Sequence, residues 1–484
     1  MRLAPMNKIL DVFRFFKFHY GCGVGRETLR TILSPSSWEE KDKKIFQYNL
    51  VIGVITLFVL SFVNNSTFGQ KLLNDLYDSI VVADFQDASE HPDRIAPNVA
   101  LVEFDPRTYD AAENHGFWTP RHTLGAVIEA AASARAKVVL VDFTVTRKAP
   151  VYLHQGQPLD ENALLLDALT RAVDKARQTG TVVVLPQAGD PPAGDEYAAR
   201  LAALRAAAPD VIKTGLTSVM TDRYDETVRN MLFYKITGPG PDGVVFSMPV
   251  LAYLYGSLPR NQADAAVKSL AGRIASDPDF KGAPLPGANP KVALYPYDPD
   301  KECLPAKLRY RIADRDTYAR LGVDDDPFFG RRFRPDAFVD EAAKGGGDIP
   351  DNAVVVVGST NPEMGDVHKT PLGALQGVYV LANEANMLLT ASQIDQNPYL
   401  KYATDLVSIL ILSMLFTHIP LTLSLMVLGF FVSSIRTSVA SYLFIRFGIF
   451  LDAWVPMVGI CFYANIHNFI SSYLQFRAKE ETCA

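Results

Sequence analysis

The sequence predicts an α/β extracytoplasmic domain with a mainly parallel sheet, joined to an α-helical membrane part of about four spans. Three observations predict it. Short β-branched runs alternate with amphipathic stretches through the middle of the chain. An uncharged run, "FQYNLVIGVITLFVLSFV" at 46–63, precedes that middle. Further apolar runs follow residue 403. Alternating strand and helix patterns are the mark of a parallel sheet with crossover helices.

The membrane part is read first. A bilayer core of ~30 Å needs about 20 apolar residues to cross it as a helix, and the run at 46–63 is close to that minimum. "KDKK" at 41–44 stands before it, and residues 1–65 hold nine Lys/Arg against five Asp/Glu. The N-terminus is therefore expected in the cytoplasm. The run begins too far into the chain, and "FVNNSTFG" is too poor a cleavage site, for a signal peptide. Beyond Tyr402, "DLVSILILSMLF" (405–416) and "LTLSLMVLGFFVSSI" (421–435) read as two spans with a hairpin at "THIP". "DAWVPMVGICFYANIHNFISSYL" (452–474) reads as the last. The expected division is a cytoplasmic segment 1–45, a first span 46–65, a large domain 66–402, three spans in 403–475 and a short cytoplasmic tail 476–484. Within the first segment, "MNKILDVFRFFKFHY" puts Ile9, Val12, Phe13 and Phe16 on one side of a helix, a pattern suited to a membrane interface or a partner helix.

The elements of the large domain follow in order. "LLNDLYDSIVVADF" (72–85) is helical. "VALVEFD" (99–105) is a buried strand ending at Asp105-Pro106, "HTLGAVIEAAASARA" (122–136) an amphipathic helix, and "KVVLVDFTV" (137–145) a second strand. Strand, helix and strand in so short a stretch form a βαβ unit. A helix at 161–180, ended by Gly180, leads to the strand "TVVVLP" (181–186). An Ala-rich helix closes 188–211, 227–237 alternates like a strand, and 247–256 is a short helix. Residues 275–350 are loop-rich, with "KLRYRIA" as a strand. "AVVVVG" (353–358) is the last strand, and "GVYVLANEANMLLTA" (377–391) is a helix.

Composition excludes several functions. The chain carries 47 basic and 53 acidic residues, and the large domain holds 34 of the first against 44 of the second, a net of −10. Nucleic acid is disfavoured, because phosphate binding needs a basic surface. Cys303 is the domain's only cysteine, so it forms no internal disulfide and must rely on its core. The sequence has neither a G-x-S-x-G elbow nor a Gly-Lys-Ser/Thr phosphate loop. Asp366 and His368 sit two apart, as a metal pair would, but no third ligand has matching spacing. No cofactor, metal or catalytic residue is assigned.

In a parallel sheet, ligands bind beyond the carboxyl ends of the strands. Asp105, Asp142 and Gly358 end strands, and "GFWTPRH" (116–122) and "GSTNPEMGDVHKTPLG" (358–373) are the loops placed to cover that edge. The ligand or partner-binding candidates are Asp105, Trp118, Arg121, His122, Asp142, Gly358, Asp366, His368 and Thr370. A structural reading competes with each. Asp105 and Asp366 also form turns, Arg121 pairs with an acid such as Asp142, and His368 is solvated.

The order of these pieces resembles the type-2 CHASE sensory domain, CHASE2. "VALVEFDPRTYDAAENHGFWTPRHTLGAVIEAAASARAKVVLVDFTV" resembles its opening: strand-Asp, a loop with Trp118-Thr119-Pro120-Arg121-His122, a helix, and a strand ending in Asp142. "VVVVGSTNPEMGDVHKTPLGALQGVYVLANEANMLL" resembles its close, with Gln376 where the family carries Pro. The resemblance brackets about 95–390 and implies a bacterial extracytoplasmic sensor held in the inner membrane, with its large domain in the periplasm or outside the cell. In this family a cyclase, kinase or diguanylate cyclase usually follows the last span, whereas about ten residues follow it here. The expectation is a non-enzymatic sensor that binds a ligand or envelope partner and signals to a separate output or scaffold protein. The alternative is an anchoring subunit of a larger envelope complex, with the ectodomain as a docking module. The membrane and a homo-oligomer are the other partners expected.

Overall fold

The computed structural model describes residues 38–64, 66–111, 118–145, 148–150, 152–154, 157–187, 195–217, 219–222, 225–287, 292–295, 306–324 and 326–394, together with 406–407, 410, 413–414 and 437–450. The chain divides into two compact units, one formed by 1–80 with 395–484 and the other by 81–394. Helix α1 (Glu40–Asn64) lies in the first unit, and α2 (Thr67–Ser89) ends in the second.

The four-span membrane part is corrected here. Among the described residues, no helix is long and apolar enough to cross a membrane. The run at 46–63 falls in α1, whose first turns are charged from Glu40 to Lys44. Gln47 and Asn49 then interrupt the start of the run, and Asn49 is buried. A span of about 20 consecutive apolar residues is not available there. The N-terminal amphipathic stretch, the "THIP" hairpin and the span assigned to 452–474 lie outside the described residues. So do most residues of 405–435.

The α/β expectation holds in the second unit. Six parallel strands form its sheet: β1 (Val99–Phe104), β2 (Val138–Asp142), β3 (Val182–Pro186), β4 (Ile212–Gly215), β5 (Arg332–Phe333) and β6 (Val354–Ser359). Their order is β5-β1-β6-β2-β3-β4. The central strands are runs of Val, and every residue of β3 and β6 is buried. Strands covered on both faces need such continuous apolar sequence. The last strand in the chain, β6, inserts between the first two. Leu101 stands beside Val356, and Gly358 stands between Glu103 and Asp142.

Alternation along the strands sorts the two faces. Val102, Phe104, Val139, Val141, Val183, Leu185, Val355 and Val357 face one core. Leu124, Val127, Leu165, Leu169 and Phe338 complete it, from helices α3 (Arg121–Ser133), α4 (Glu161–Thr179) and, further along the chain, Pro335–Ala343. Asp160 caps α4 by accepting from the Asn162 and Ala163 amides, and Gly180 ends it at φ 83°. The opposite face carries Leu140, Asp142, Val356 and Gly358. It is covered by α6 (Met248–Ser257) and α9 (Gly377–Leu389), which pack on each other, with α7 (Arg260–Ser276) against α6. In chain order, α5 is Glu196–Ala207 and α8 is the Pro335–Ala343 helix.

Several elements differ from expectation. The segment 188–211 gives a helix that stops at Ala207, and β4 follows. The stretch 227–237 breaks into Val228–Met231 and Tyr234–Ile236. Only Ala306–Lys307 pairs as a strand in the neighbourhood of "KLRYRIA", yet Leu308 to Ala313 are buried throughout. The helices α7 and α8 and the short strand β5 carry no expectation, because their periodicity is diluted by Arg, Gln, Asp and Pro.

Gly358 is a packing requirement. A Cβ there would sit 2.6 Å from Val378 Cγ2 and 3.2 Å from Asp142 Cβ. Gly358→Ala is expected to destabilise the second unit by about 2–3 kcal/mol through overpacking. Urea denaturation would check this, with Val378→Ala recovering part of the loss in the double variant.

Candidate functional site

Parallel strands place all their carboxyl ends at one edge, and the helices that follow begin there. Two polar groups assemble at that edge, and a third network lies close to it along β1.

The first group surrounds the start of α3. Arg121 is buried, donates from Nη1 to Asn162 Oδ1, and lies over the Tyr197 ring at 4.8 Å. Its amide donates to Glu161 Oε2 at 2.5 Å, while Glu161 Oε1 meets His122 Nδ1 at 2.8 Å. Asn162 accepts from the Ala149 amide at 2.8 Å and donates to its carbonyl at 2.9 Å. The Tyr197 hydroxyl donates to Val145 O at 2.6 Å, and burial pushes its pKa up to about 12. These bonds tie the loop after β2 to the starts of α3 and α4. Arg121 thus bonds Asn162 and lies over Tyr197.

The second group lies where β2 and β6 end. Asp142 is the last residue of β2, and Gly358 beside it clears the way for Val378 of α9. Beyond β6, Asn361 opens a 3-10 turn that Gly365 closes at φ 72°. The hairpin Val367–Thr370 with Gly373–Gln376 then leads into α9. Asp366 accepts from the Gly377 amide with its backbone oxygen at 2.9 Å. A Cβ at Gly377 would collide with the Asp366 carboxyl, so that carboxyl lies over the first residue of α9. Negative charge is favoured at that end of a helix. His368 Nε2 meets Asp366 Oδ1 at 3.0 Å. Inside, Glu384 projects from α9 with 4% of its surface exposed, and its Oε1 has no hydrogen-bond partner among the described residues.

These carboxyls interact. Burial first, and the Asp366 charge second, raise Asp142 from 3.8 to about 7, with His368 opposing. Glu384 is held well above the usual carboxylate range by burial and then by the Asp142 charge. A buried carboxyl without a cation partner avoids the cost of ionising by keeping its proton.

The remaining expected residues are structural or peripheral. Asp105 accepts from the Thr108 amide and hydroxyl, each at 2.9 Å, and so caps the short helix Pro106–Ala111. Thr370 donates to Gly373 O at 2.7 Å and accepts from the Leu372 amide, which shapes the hairpin turn. Trp118 is exposed. Among the described residues, no three His, Cys, Asp or Glu side chains lie close enough to hold a metal ion.

Sequence reasoning missed Glu161, Asn162, Glu384 and a third network along β1. In that network Arg332 meets Glu103 at 3.0 Å and Asp326 at 3.0 Å, and Tyr379 donates to Glu103 at 2.9 Å. One signal for Glu384 was present. A carboxylate between two Asn in an otherwise apolar helix, "GVYVLANEANMLL", is a buried polar group that needs an explanation.

A family model for the CHASE2 domain matches residues 51–420. No curated protein and no solved structure matches the chain.

The raised carboxyls fix the direction of a pH effect. Between pH 3.8 and about 7, folded Asp142 keeps a proton that the unfolded chain has lost. Stability therefore falls as pH rises through that window. Asp142→Asn should be more stable than the parent by about 1–3 kcal/mol at pH 8 and nearly equal to it at pH 4.5. Urea midpoints at the two pH values measure the difference, and a constant gap would show that Asp142 titrates normally.

Proposed function

The chain belongs to the CHASE2 domain family, a family of extracytoplasmic sensory domains, and from that membership we propose a non-enzymatic sensor. Its α/β unit binds a ligand at the edge where β2 and β6 end, and its state is read by a separate protein. The observation that carries the reading is Glu384: a buried carboxyl with an unpartnered oxygen, behind Asp142 and Asp366. A fold that depended on this side chain only for stability would do better with an apolar one of similar volume. A ligand that completes the pairing binds one arrangement of α9 more tightly than another, which is what a sensor requires.

A route out of the site supports the same reading. Asn383, next to Glu384, accepts from the Arg311 and Ile312 amides at 2.6 and 2.9 Å, and donates to Ile312 O at 2.6 Å. The side chains of Arg309 and Arg311 approach Asp84 of α2 at 3.7 and 3.5 Å, all three being buried. Arg311 also donates to Arg94 O at 2.8 Å. A shift of α9 would be felt at α2 through the segment 309–312.

The test is thermal unfolding of the purified full chain against a broad panel of small metabolites. At least one compound should raise the midpoint, and the shift should shrink in Glu384→Gln. A panel without effect, together with a stoichiometric protein partner on gentle extraction, would replace the sensor with a docking module. A second outcome concerns the route. Asp84→Asn removes the buried carboxylate that Arg309 and Arg311 approach and should cost about 3–5 kcal/mol. Its ligand-induced shift in the midpoint should survive, because the binding edge is untouched.

A further inference from the structure

The carboxyls at the sheet edge form a graded series. The Asp366 side chain is 44% exposed and its partner His368 24%. Asp142, at the end of β2, is partly buried, and Glu384 is 4% exposed. Asp142 lies between the others electrostatically, since it feels the charges of Asp366 and His368 and acts in turn on Glu384. The series is also extended. Asp366 lies over Gly377, and Glu384 stands seven residues further along α9, which is about 10 Å of helix rise. The same face of the sheet carries Asp142, while Gly358 removes the side chain that would crowd it. Glu384, set on a different element from the other two acids, keeps a carboxyl oxygen without a partner.

A cation suits this edge best: it pairs with the half-exposed Asp366 carboxyl and compensates a buried acid that ionises, whereas an anion would meet like charge. It must also donate several hydrogen bonds, and it must be elongated. A metal ion needs three or more ligands converging at little more than 2 Å, and the described carboxyls are strung out instead. A protonated aliphatic amine offers three N–H donors on a flexible, apolar chain. The acidic balance of the domain, 34 basic residues against 44 acidic over 66–402, favours the approach of such a cation.

Resting on the sensor reading above, we propose that the ligand is an organic ammonium cation, a linear diamine above all, seated along Asp366, Asp142 and Glu384. One ammonium pairs with Asp366 near the surface. The other reaches toward Asp142 and Glu384, and one of these acids gives up its proton to solvent as the cation arrives. His368 holds Asp366 from the far side.

The experiment uses the purified full chain at pH 7.5 and constant ionic strength. Thermal unfolding and calorimetric titration are run with 1,4-diaminobutane, 1-aminobutane, magnesium chloride and a panel of neutral and anionic metabolites. The diamine should raise the unfolding midpoint by roughly 3–4 °C at a hundredfold excess over its Kd. Its affinity should exceed that of the monoamine, and its binding heat should change with the ionisation enthalpy of the buffer, since a proton is released. Burial disfavours the ionised form of both acids, so their neutral replacements Glu384→Gln and Asp142→Asn should fold. Each should weaken the diamine by about tenfold or more, as expected for a buried charge-assisted bond. Equal stabilisation by magnesium overturns the organic class. Diamine binding unchanged in both variants overturns the site. A shift from neutral or anionic compounds alone overturns the amine and leaves the sensor reading standing, whereas no shift from any compound overturns both.

Discussion

The constraint on which the rest of this structure depends is the parallel pairing of β1, β6 and β2. Parallel strands cannot be joined by tight turns, so each return crosses the sheet by a helix and the carboxyl ends accumulate at one edge. Here the last strand enters between the first two, in register from Val354 to Ser359. That insertion brings residues about 220 positions apart, Asp142 and Gly358, side by side. It also delivers the chain to α9 at the same edge, so the loop carrying Asp366 and His368 has nowhere else to lie.

The second determinant is α9 itself. Every residue from Gly377 to Leu388 is buried, including Asn383, Glu384 and Asn386. Asn383 is fully used by the segment 311–312 and its own helix, and Asn386 accepts from the Ala96 amide at 2.7 Å. These two residues serve the fold: they satisfy backbone groups of segments that lack a ladder of their own, which the buried stretch 308–313 requires. Glu384 stands between them and serves no such purpose. Among the described residues, Asn386 keeps its Nδ2 and Glu384 its Oε1 without a hydrogen-bond partner, and of the two only Glu384 is an acid whose charge burial disfavours.

The strands, α3, α4 and α9 were legible in the sequence because each has a clean period or a continuous Val run, and because Gly180 and Asp142 fall at true ends. The edge was legible for the same reason: strand ends in Asp or Gly are visible without coordinates. What each candidate does there was not. Asp105 and Thr370 resolve into local turn chemistry that depends on residues two or three positions away. Arg121 chooses Asn162 and Tyr197, partners 41 and 76 positions along, which only the crossing of α3 over α4 and α5 brings near. The run at 46–63 is uncharged rather than wholly apolar: Gln47 and Asn49 stand in its first turn, so its apolar stretch is shorter than the run itself.

The two polar groups at the edge differ in a way that separates scaffold from site. Around Arg121, each charge has an opposite or a polar partner at hydrogen-bond distance, and the cluster locks three loops. Around Asp142, burial first and the Asp366 charge second raise the carboxyl to about 7, and burial raises Glu384 likewise. A neutral acid in a half-open edge is poised, because the free energy that keeps it protonated is available to any cation that displaces the proton. Each pKa unit of elevation corresponds to about 1.4 kcal/mol, or a factor of ten in the equilibrium being biased. Rearrangements of α9 therefore need not be large to matter. Glu384 is covalently next to Asn383, and Asn383 is the residue that positions Arg311 against Asp84. The position next to Glu384 is thus joined, through the Arg311 backbone and side chain, to the buried Asp84 carboxyl.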